Sequence, residues 1–126
     1  MKDIDFTPSE ESEQIILFQW ADVKAARYPV LKLLHAIPNG GFRILQTAVK
    51  LKRQGVKKGV PDICLPVAAH GYHGLYIELK RRVGGRLSVE QKSWLNALNA
   101  QGYKAEVCKG FDEAANIIKD YLDIRE

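Results

Sequence analysis

Apolar residues recur at near-helical spacing in the first part of the chain, between Ile15 and Val23. The residues before them are typical of a helix start, with Thr7 as N-cap, Pro8 at the first helical position and Glu10 as the acid of a capping box. The pattern therefore predicts a first helix that begins after Thr7 and continues to about Val23.

A short apolar segment and a second amphipathic pattern come next. Residues 29–36 predict a helical turn that leads into a strand, and the PNGG sequence at 38–41 is a turn signal. Residues 43–54 predict a basic amphipathic helix that Gly55 terminates. The positions expected to face inward on this helix are Ile44, Leu45, Ala48 and Leu51.

Two strand patterns lie close together in the middle of the chain. They cover residues 62–67 and 74–80, and the segment 70–74 between them, which contains two glycines, is typical of a hairpin connection. The pattern therefore predicts that these two strands are neighbours in one sheet.

The last part of the chain alternates helix and strand. Ser88 as N-cap, Gln91 at the third position and Gly102 as C-cap delimit a helix. A strand at 104–108 and a helix from 112 to about 122 follow it. The order α, β, α, β, β, α, β, α predicts an α/β domain with a mixed central sheet flanked by helices.

Composition fits one such domain over residues 1–126. Apolar residues make up 46% of the chain, enough for a buried core, and no repeat or linker divides it. No apolar run approaches the roughly 18 residues of a membrane span, so the sequence excludes an integral membrane protein. With two cysteines and no apolar leader segment, we expect a reducing, intracellular setting.

The net charge of +4 is unevenly distributed along the chain. Residues 42–92 contain eleven Lys and Arg against three acids, whereas the flanking residues carry a net charge of −4. A strongly cationic middle favours a polyanionic partner such as nucleic acid. A solvated basic face is the alternative interpretation.

Charged side chains interrupt the apolar strand pattern at 74–80. Because side chains alternate along a strand, Glu78 and Lys80 share one face, about 6.5 to 7 Å apart. An acid and a base on an otherwise apolar strand are costly if they are buried unpaired. If the hairpin forms, Asp62 at the start of the preceding strand can approach Glu78. Two carboxylates beside an amine would form a site for a hard divalent cation.

At these residues the sequence resembles a known family. Pro61-Asp62, then a 15-residue gap, then Glu78-Leu79-Lys80 is similar to the PD-(D/E)xK nuclease signature. The wider context resembles one branch of that superfamily, the virus-type replication-repair nuclease (VRR-NUC) domain, over nearly the whole chain. Four ordered segments carry the resemblance: PNGG at 38–41, GVKKGVPD at 55–62, GLYIELK at 74–80 and SVEQKSW at 88–94.

The resemblance implies a restriction-endonuclease-like fold and a role for each matching residue. Asp62 and Glu78 would bind Mg²⁺ or Mn²⁺, and the main-chain carbonyl of Leu79 would complete the protein ligands. Lys80 would orient or help deprotonate the attacking water and offset charge on the scissile phosphate. Gln91 would support the lysine and the water.

The assigned residues also have structural alternatives. Asp62 after a proline could be a turn residue, and Glu78 and Lys80 could form a surface ion pair on a half-exposed strand.

Families of this type draw a further acid from the first helix; Glu10 is our choice, and Glu11 and Glu13 remain open. Glu10 could instead serve as a capping-box acid alone, and Gln91 could serve only as the capping partner of Ser88.

The basic residues and the resemblance together imply a DNA substrate. Phosphate contacts position a duplex without reading its bases, and no recognition helix stands out, so we expect structure-selective cutting. Small freestanding members resemble Holliday-junction resolvases, which act as homodimers. The resemblance thus implies a Mg²⁺-dependent endonuclease for branched DNA in the cytoplasm of a bacterial or phage-infected cell. The residues expected to contact DNA are Arg43, Lys50, Lys52, Arg53, Lys57, Lys58, Arg81, Arg82 and Arg86.

Two other functions remain open at this point. One is a nuclease for flaps, nicks or plain duplex DNA. The other is a DNA-binding module that has a nuclease-like fold but does not cleave.

Overall fold

The computed structural model describes residues 4–38 and 45–126, which form a four-stranded sheet and helices that flank it. The helices are α1 (Glu10–Lys24), α2 (Leu45–Arg53), α3 (Val89–Ala100) and α4 (Gly110–Tyr121). The strands are β1 (His35–Ala36), β2 (Ile63–Leu65), β3 (Leu75–Lys80) and β4 (Lys104–Lys109), and a 3₁₀ turn at Pro29–Leu33 precedes β1. No helix in these residues is long and apolar enough to cross a membrane.

The sheet is mixed, as the element order predicted. Its strands lie in the order β1-β2-β3-β4, with antiparallel β1–β2 and β2–β3 pairs and a parallel β3–β4 pair. The antiparallel β2–β3 pair is the predicted hairpin, and α3 makes the crossover between the parallel strands β3 and β4. The catalytic candidates at 78–80 therefore lie on an interior strand with a neighbour on each side.

The main core lies between the sheet and the helices α1 and α4. Leu75, Ile77 and Leu79 alternate along β3 and are each at most 1% exposed. Leu17 of α1 and Ile118 of α4 pack into the same cluster and are fully buried. Burial of each such side chain contributes about 1.5 to 3 kcal/mol, so this layer fixes α1 and α4 against β3.

The first helix begins later than its capping-box pattern predicted. Ser9 is the N-cap, because its hydroxyl accepts a hydrogen bond from the N–H of Ser12, and Glu10 is the first helical residue. The carbonyl of Thr7 instead accepts a 3.1 Å hydrogen bond from the guanidinium of Arg81. The prediction of Thr7 as N-cap was therefore wrong, and Glu10 does not form the predicted capping box with it.

The basic helix α2 is more exposed than its amphipathic pattern predicted. Ala48 was expected to face inward but is exposed, and Val49 is 51% exposed. Leu51 is half-buried, and Gly55 ends the helix region with a φ of +96°, which glycine adopts readily. Because α2 makes little contact with the other described elements, no neighbour covers Ala48. Ile44, the side chain of Leu45 and most of the PNGG turn lie outside the described residues.

The outer edge of β4 is partly occupied by side chains. The side-chain amide of Asn99 donates to the carbonyl of Ala105 at 2.9 Å and accepts from its N–H at 3.1 Å. The N–H of Lys109 donates to Glu113. Such contacts reduce the tendency of an edge strand to pair with another chain.

Candidate active site

Two carboxylates face each other where β2 and β3 pair. The strands are antiparallel with Ile63 opposite Ile77, so one further residue of the same register places Asp62 opposite Glu78. The N–H of Leu79 points toward Asp62, which makes Asp62 and Glu78 a non-hydrogen-bonded pair. Facing side chains are closest in such pairs, so the hairpin brings the two acids together.

Main-chain contacts hold Asp62 in position. Its Oδ2 accepts a 2.8 Å hydrogen bond from the N–H of Leu79, and its carbonyl accepts a 2.7 Å bond from the N–H of Ile37. The preceding Pro61 has no N–H to donate to β3. The Asp62 carboxylate accepts the Leu79 N–H in place of a backbone carbonyl of the neighbouring strand. In an antiparallel pair the N–H and the carbonyl of one residue point to the same neighbouring strand, so the Leu79 carbonyl also points to the β2 side of β3.

Glu78 is buried without a full set of partners. It is 1% exposed, and its Oε1 has no hydrogen-bond partner among the described residues. Burial, and then a hydrogen bond with Asp62 and the negative charge of Asp62, raise the pKa of Glu78 from 4.5 to about 9, against the opposing charge of Lys80. A carboxyl group that lacks a sufficient counter-charge in this way favours a bound cation.

Lys80 lies on the same face of β3 as Glu78, two residues further along the strand. It is 8% exposed, and its Nζ forms no ion pair within residues 4–38 and 45–126. Its positive charge nevertheless lowers the pKa of Glu78. The ammonium group therefore acts on the charge of Glu78, and no acid that the structure describes is paired with it.

The start of α1 forms one wall of a cleft beside Asp62. Glu10, Glu11, Gln14 and Ile15 line this cleft of about 420 Å³ together with Asp62. The charge of Glu10 also raises the pKa of Glu78, so Glu10 lies within electrostatic range of the pair.

The third acid considered from the sequence has a different environment. Glu13 is 1% exposed and binds Arg82 and the N–H of Phe111. Within the described residues, the geometry thus supports Glu10 or Glu11 as the α1 acid of the site more than Glu13.

The oxygen atoms around Glu78 fit a hard divalent cation. Asp62 and Glu78 offer carboxylates and Leu79 offers a carbonyl, which are the ligand types that Mg²⁺ and Mn²⁺ prefer. The described residues contain no group of three or more His, Cys, Asp or Glu side chains placed to hold a metal ion. Mg²⁺ needs no such group, because it binds through one or two carboxylates and keeps several waters. Glu10 would then act on a water bound to the ion rather than on the ion directly.

Comparison with known proteins agrees with this geometry. The VRR-NUC domain model matches residues 4–112. The chain belongs to the VRR-NUC family. A solved structure described as a VRR-NUC domain protein is 30% identical, covers 95% of this chain and 93% of its own, and superposes with a TM-score of 0.79. No curated protein sequence matches the chain.

Membership in the VRR-NUC family confirms the predicted restriction-endonuclease-like fold and shows that the chain carries a nuclease domain. VRR-NUC domains are generally nucleases, which implies a DNA substrate and usually a divalent metal ion.

Gln91 of this VRR-NUC domain has a structural role in the resting geometry. Its Oε1 accepts a hydrogen bond from the N–H of Ser88, and its own N–H donates to the Ser88 hydroxyl, which completes a capping box at the start of α3. The side-chain Nε2 is the part of Gln91 that this arrangement leaves for the predicted contact with Lys80 or water.

The predicted DNA-contacting cations of this VRR-NUC domain fall into two groups. Lys58 forms a 3.6 Å ion pair with the exposed Glu90, Arg81 binds Asp5, and Arg82 binds Glu13 and Asp112. Five others are exposed and form no ion pair in the part of the chain that the structure describes. These are Lys50, Lys52, Arg53, Lys57 and Arg86; Arg43 lies outside the described residues.

Loss of two exposed cations should weaken the salt dependence of DNA binding. Each phosphate contact contributes about one unit to the slope of log K against log salt, so replacing both Lys57 and Arg86 by Ala should reduce the slope by about two. Fluorescence anisotropy of labelled DNA at several salt concentrations measures this slope. Lys32→Ala, which removes an exposed cation outside the cationic middle, should leave the slope unchanged, and an unchanged slope in the double variant would remove these residues from the interface.

Sequence reasoning missed the contacts that two consecutive arginines make with the N-terminal region. Arg81 binds Asp5 at 2.8 Å and holds the pKa of that carboxyl well below its usual range, and Arg82 binds the buried Glu13. One signal could have found Glu13: it precedes Leu17 and Ala21 at four-residue spacing and so lies on the buried face of α1.

Proposed function

We propose that the protein is a divalent-metal-dependent, structure-selective DNA endonuclease that hydrolyses phosphodiester bonds in branched DNA, with residues 1–126 as a single nuclease domain. The observation that carries the proposal is the facing pair Asp62 and Glu78 with the buried Lys80 beside it. A structural surface ion pair would leave Glu78 exposed and satisfied, whereas Glu78 is buried and one of its oxygens has no partner among the described residues.

Each of these residues has a distinct task in the proposed reaction. Asp62, Glu78 and the Leu79 carbonyl would hold Mg²⁺ or Mn²⁺, which when bound polarises the phosphate and lowers the pKa of water. Lys80 would orient or help deprotonate the attacking water and offset negative charge on the phosphate. Glu10 would orient water from the side of α1, and the Nε2 of Gln91 would support Lys80.

The surface supports a substrate recognised by shape. Exposed cations of α2 and of the loops around the site offer phosphate contacts, which carry no sequence information directly. Gly84 and Gly85 lie between Arg82 and Arg86, and the φ of +82° at Gly84 gives this turn a backbone conformation that favours glycine. We therefore assign branched DNA, with a Holliday junction as the leading form, as the substrate.

A homodimer would place two such sites on opposed strands of a junction. The face of α1 directed away from the core supports this assembly, because Ile16 and Val23 are 43% and 74% exposed there. We place this activity on replication or recombination intermediates in the cytoplasm of a bacterial or phage-infected cell.

A panel of labelled four-way junctions, flaps, nicked duplexes and plain duplexes tests the function. We expect cleavage of junctions with Mg²⁺ or Mn²⁺, none in EDTA, and none by the Asp62→Asn/Glu78→Gln variant, which controls for a contaminating nuclease. The mass of the protein in solution, from light scattering, tests the homodimer.

Other outcomes of this panel distinguish the alternatives. Preferred cleavage of flaps or nicks would replace the junction assignment, and equal cleavage of all duplexes would indicate a general nuclease. Binding without cleavage in either metal would indicate a DNA-binding module. Cleavage that persists in EDTA would refute the metal mechanism.

A further inference from the structure

We propose that Arg82, acting through Glu13, is a positioning residue that sets the orientation of Glu10 at the candidate active site. This inference rests on the proposed function, because it concerns the acid that α1 contributes to that site. It also changes the expectation for Arg82, which the sequence had placed in contact with DNA.

Glu13 is a buried acid with three contacts to other parts of the fold. It is 1% exposed, and Nε of Arg82 lies 3.1 Å from its Oε1 and 3.3 Å from its Oε2. Its Oε2 also accepts a hydrogen bond from the N–H of Phe111 in the first turn of α4. The N-cap residue of α4, Lys109, makes no side-chain capping bond. The Glu13 carboxylate of α1 therefore accepts one of the free N–H groups at the start of α4.

The packing around Glu13 leaves little freedom. Gly110 has a φ of +83°, and a side chain there would place its Cβ 2.5 Å from Oε2 of Glu13 and 2.8 Å from Cγ of Arg82. The glycine thus allows the acid and the arginine to lie directly against the backbone of α4. Such close packing fixes the rotation of α1 about its axis at this position.

The contact between Arg82 and Glu13 links two parts of the candidate site, because Glu13 is close in sequence to Glu10 and Arg82 is close in sequence to Lys80. Glu13 is one helical turn after Glu10, so both residues lie on neighbouring positions of the same face of α1. Arg82 is two residues after Lys80. The Arg82–Glu13 contact therefore ties the start of α1 to the end of the catalytic strand and sets the distance between Glu10 and the carboxylates of Asp62 and Glu78.

The surroundings of Arg82 favour this role over phosphate binding. Its guanidinium is shared between Glu13 and Asp112, with Nη1 at 3.2 Å from Asp112. A phosphate would have to compete with two carboxylates for the same group. The exposed pair with Asp112 offers a control, since its removal leaves the contact with Glu13 in place.

The test compares metal binding in Arg82→Ala, Arg82→Lys, Asp112→Asn, Glu10→Gln and the Arg82→Ala/Glu10→Gln double variant. Mn²⁺ affinity is measured by calorimetry on the whole protein without DNA, and junction cleavage is measured in parallel. Outer-shell residues of a metal site typically change metal affinity or activity about 10- to 100-fold when they are replaced. Because Glu10 would hold a water bound to the ion, Arg82→Ala should weaken Mn²⁺ binding about tenfold. Arg82→Lys should restore part of this loss, and Asp112→Asn should bind as the wild type does.

The double variant separates positioning from a general loss of stability. If Arg82 acts through Glu10, the double variant should bind Mn²⁺ about as tightly as Glu10→Gln alone, because Arg82 then has no carboxylate left to position. An equal loss in both backgrounds, or wild-type Mn²⁺ affinity in Arg82→Ala, would overturn the inference while leaving the nuclease proposal intact. A wild-type protein that neither binds Mn²⁺ nor cleaves DNA would instead refute the proposed function and this inference with it.

Discussion

Lys80→Ala is expected to reduce DNA cleavage about a thousandfold while the affinity for DNA changes little. A positioned amine that helps proton transfer and offsets charge in the transition state contributes roughly this much to the rate. Ground-state binding depends mainly on many phosphate contacts, of which Lys80 provides at most one. Single-turnover cleavage of a labelled junction in Mg²⁺ measures the rate, and anisotropy in Ca²⁺ measures the affinity.

Two further variants show whether the loss is specific to the ammonium group. Lys80→Met keeps most of the buried stem of this 8% exposed side chain and should be as inactive as Lys80→Ala. Lys109 lies opposite Lys80 in the parallel β3–β4 register and is exposed, so Lys109→Ala removes a nearby charge and should cleave as the wild type does. Cleavage by Lys80→Met within tenfold of the wild type would rule out the assigned role.

Short-range patterns predicted the elements that place Asp62 and Glu78. The apolar alternation in β3 and the glycine-containing turn before it define the hairpin, and a paired hairpin brings these acids together. The capping box of Ser88 and Gln91 also formed as predicted, because its partners are three residues apart. Local sequence determines such features without knowledge of the rest of the fold.

Contacts between distant segments could not be predicted in the same way. Thr7 and Ser9 are both good N-caps. The structure uses Ser9, whereas the carbonyl of Thr7 binds Arg81, which is 74 residues away. Arg82 was indistinguishable from a DNA-binding arginine until the fold placed the buried Glu13 beside it. Ala48 was expected to be buried because periodicity shows which residues share a face, but not whether another element covers that face.

Glu78→Gln is expected to stabilise the metal-free protein above about pH 5 and to remove most of the stabilisation by Mn²⁺. The unfolded carboxyl titrates near 4.5, whereas burial and Asp62 raise its pKa in the fold to about 9. Between these values, folding requires uptake of a proton, so the stability of the wild type falls as pH rises and the penalty is complete above about pH 9. Glutamine does not ionise and carries no such penalty.

The melting temperatures should therefore separate with pH. Near pH 4 the wild type and Glu78→Gln should melt together. By pH 8 the variant should melt higher by about 15 °C, because the wild type loses about 1.4 kcal/mol of stability for each pH unit between the two pKa values of Glu78. Adding Mn²⁺ at about 100 times its dissociation constant should raise the wild-type melting temperature by about 10 °C, because the ion takes over the role of the proton. Glu78→Gln should gain no more than about 2 °C, because one of the two carboxylates is missing.

The control for this experiment is an acid on the neighbouring strand. Glu106 lies opposite Ile77 in β4, is exposed and pairs with Lys104 at the surface, so Glu106→Gln should follow the wild type in both pH and Mn²⁺ dependence. If Glu78→Gln instead melted lower than the wild type at pH 8 and gained equally from Mn²⁺, Glu78 would be a structural acid. The ion would then have to be held elsewhere, and the facing pair with Asp62 would no longer account for catalysis.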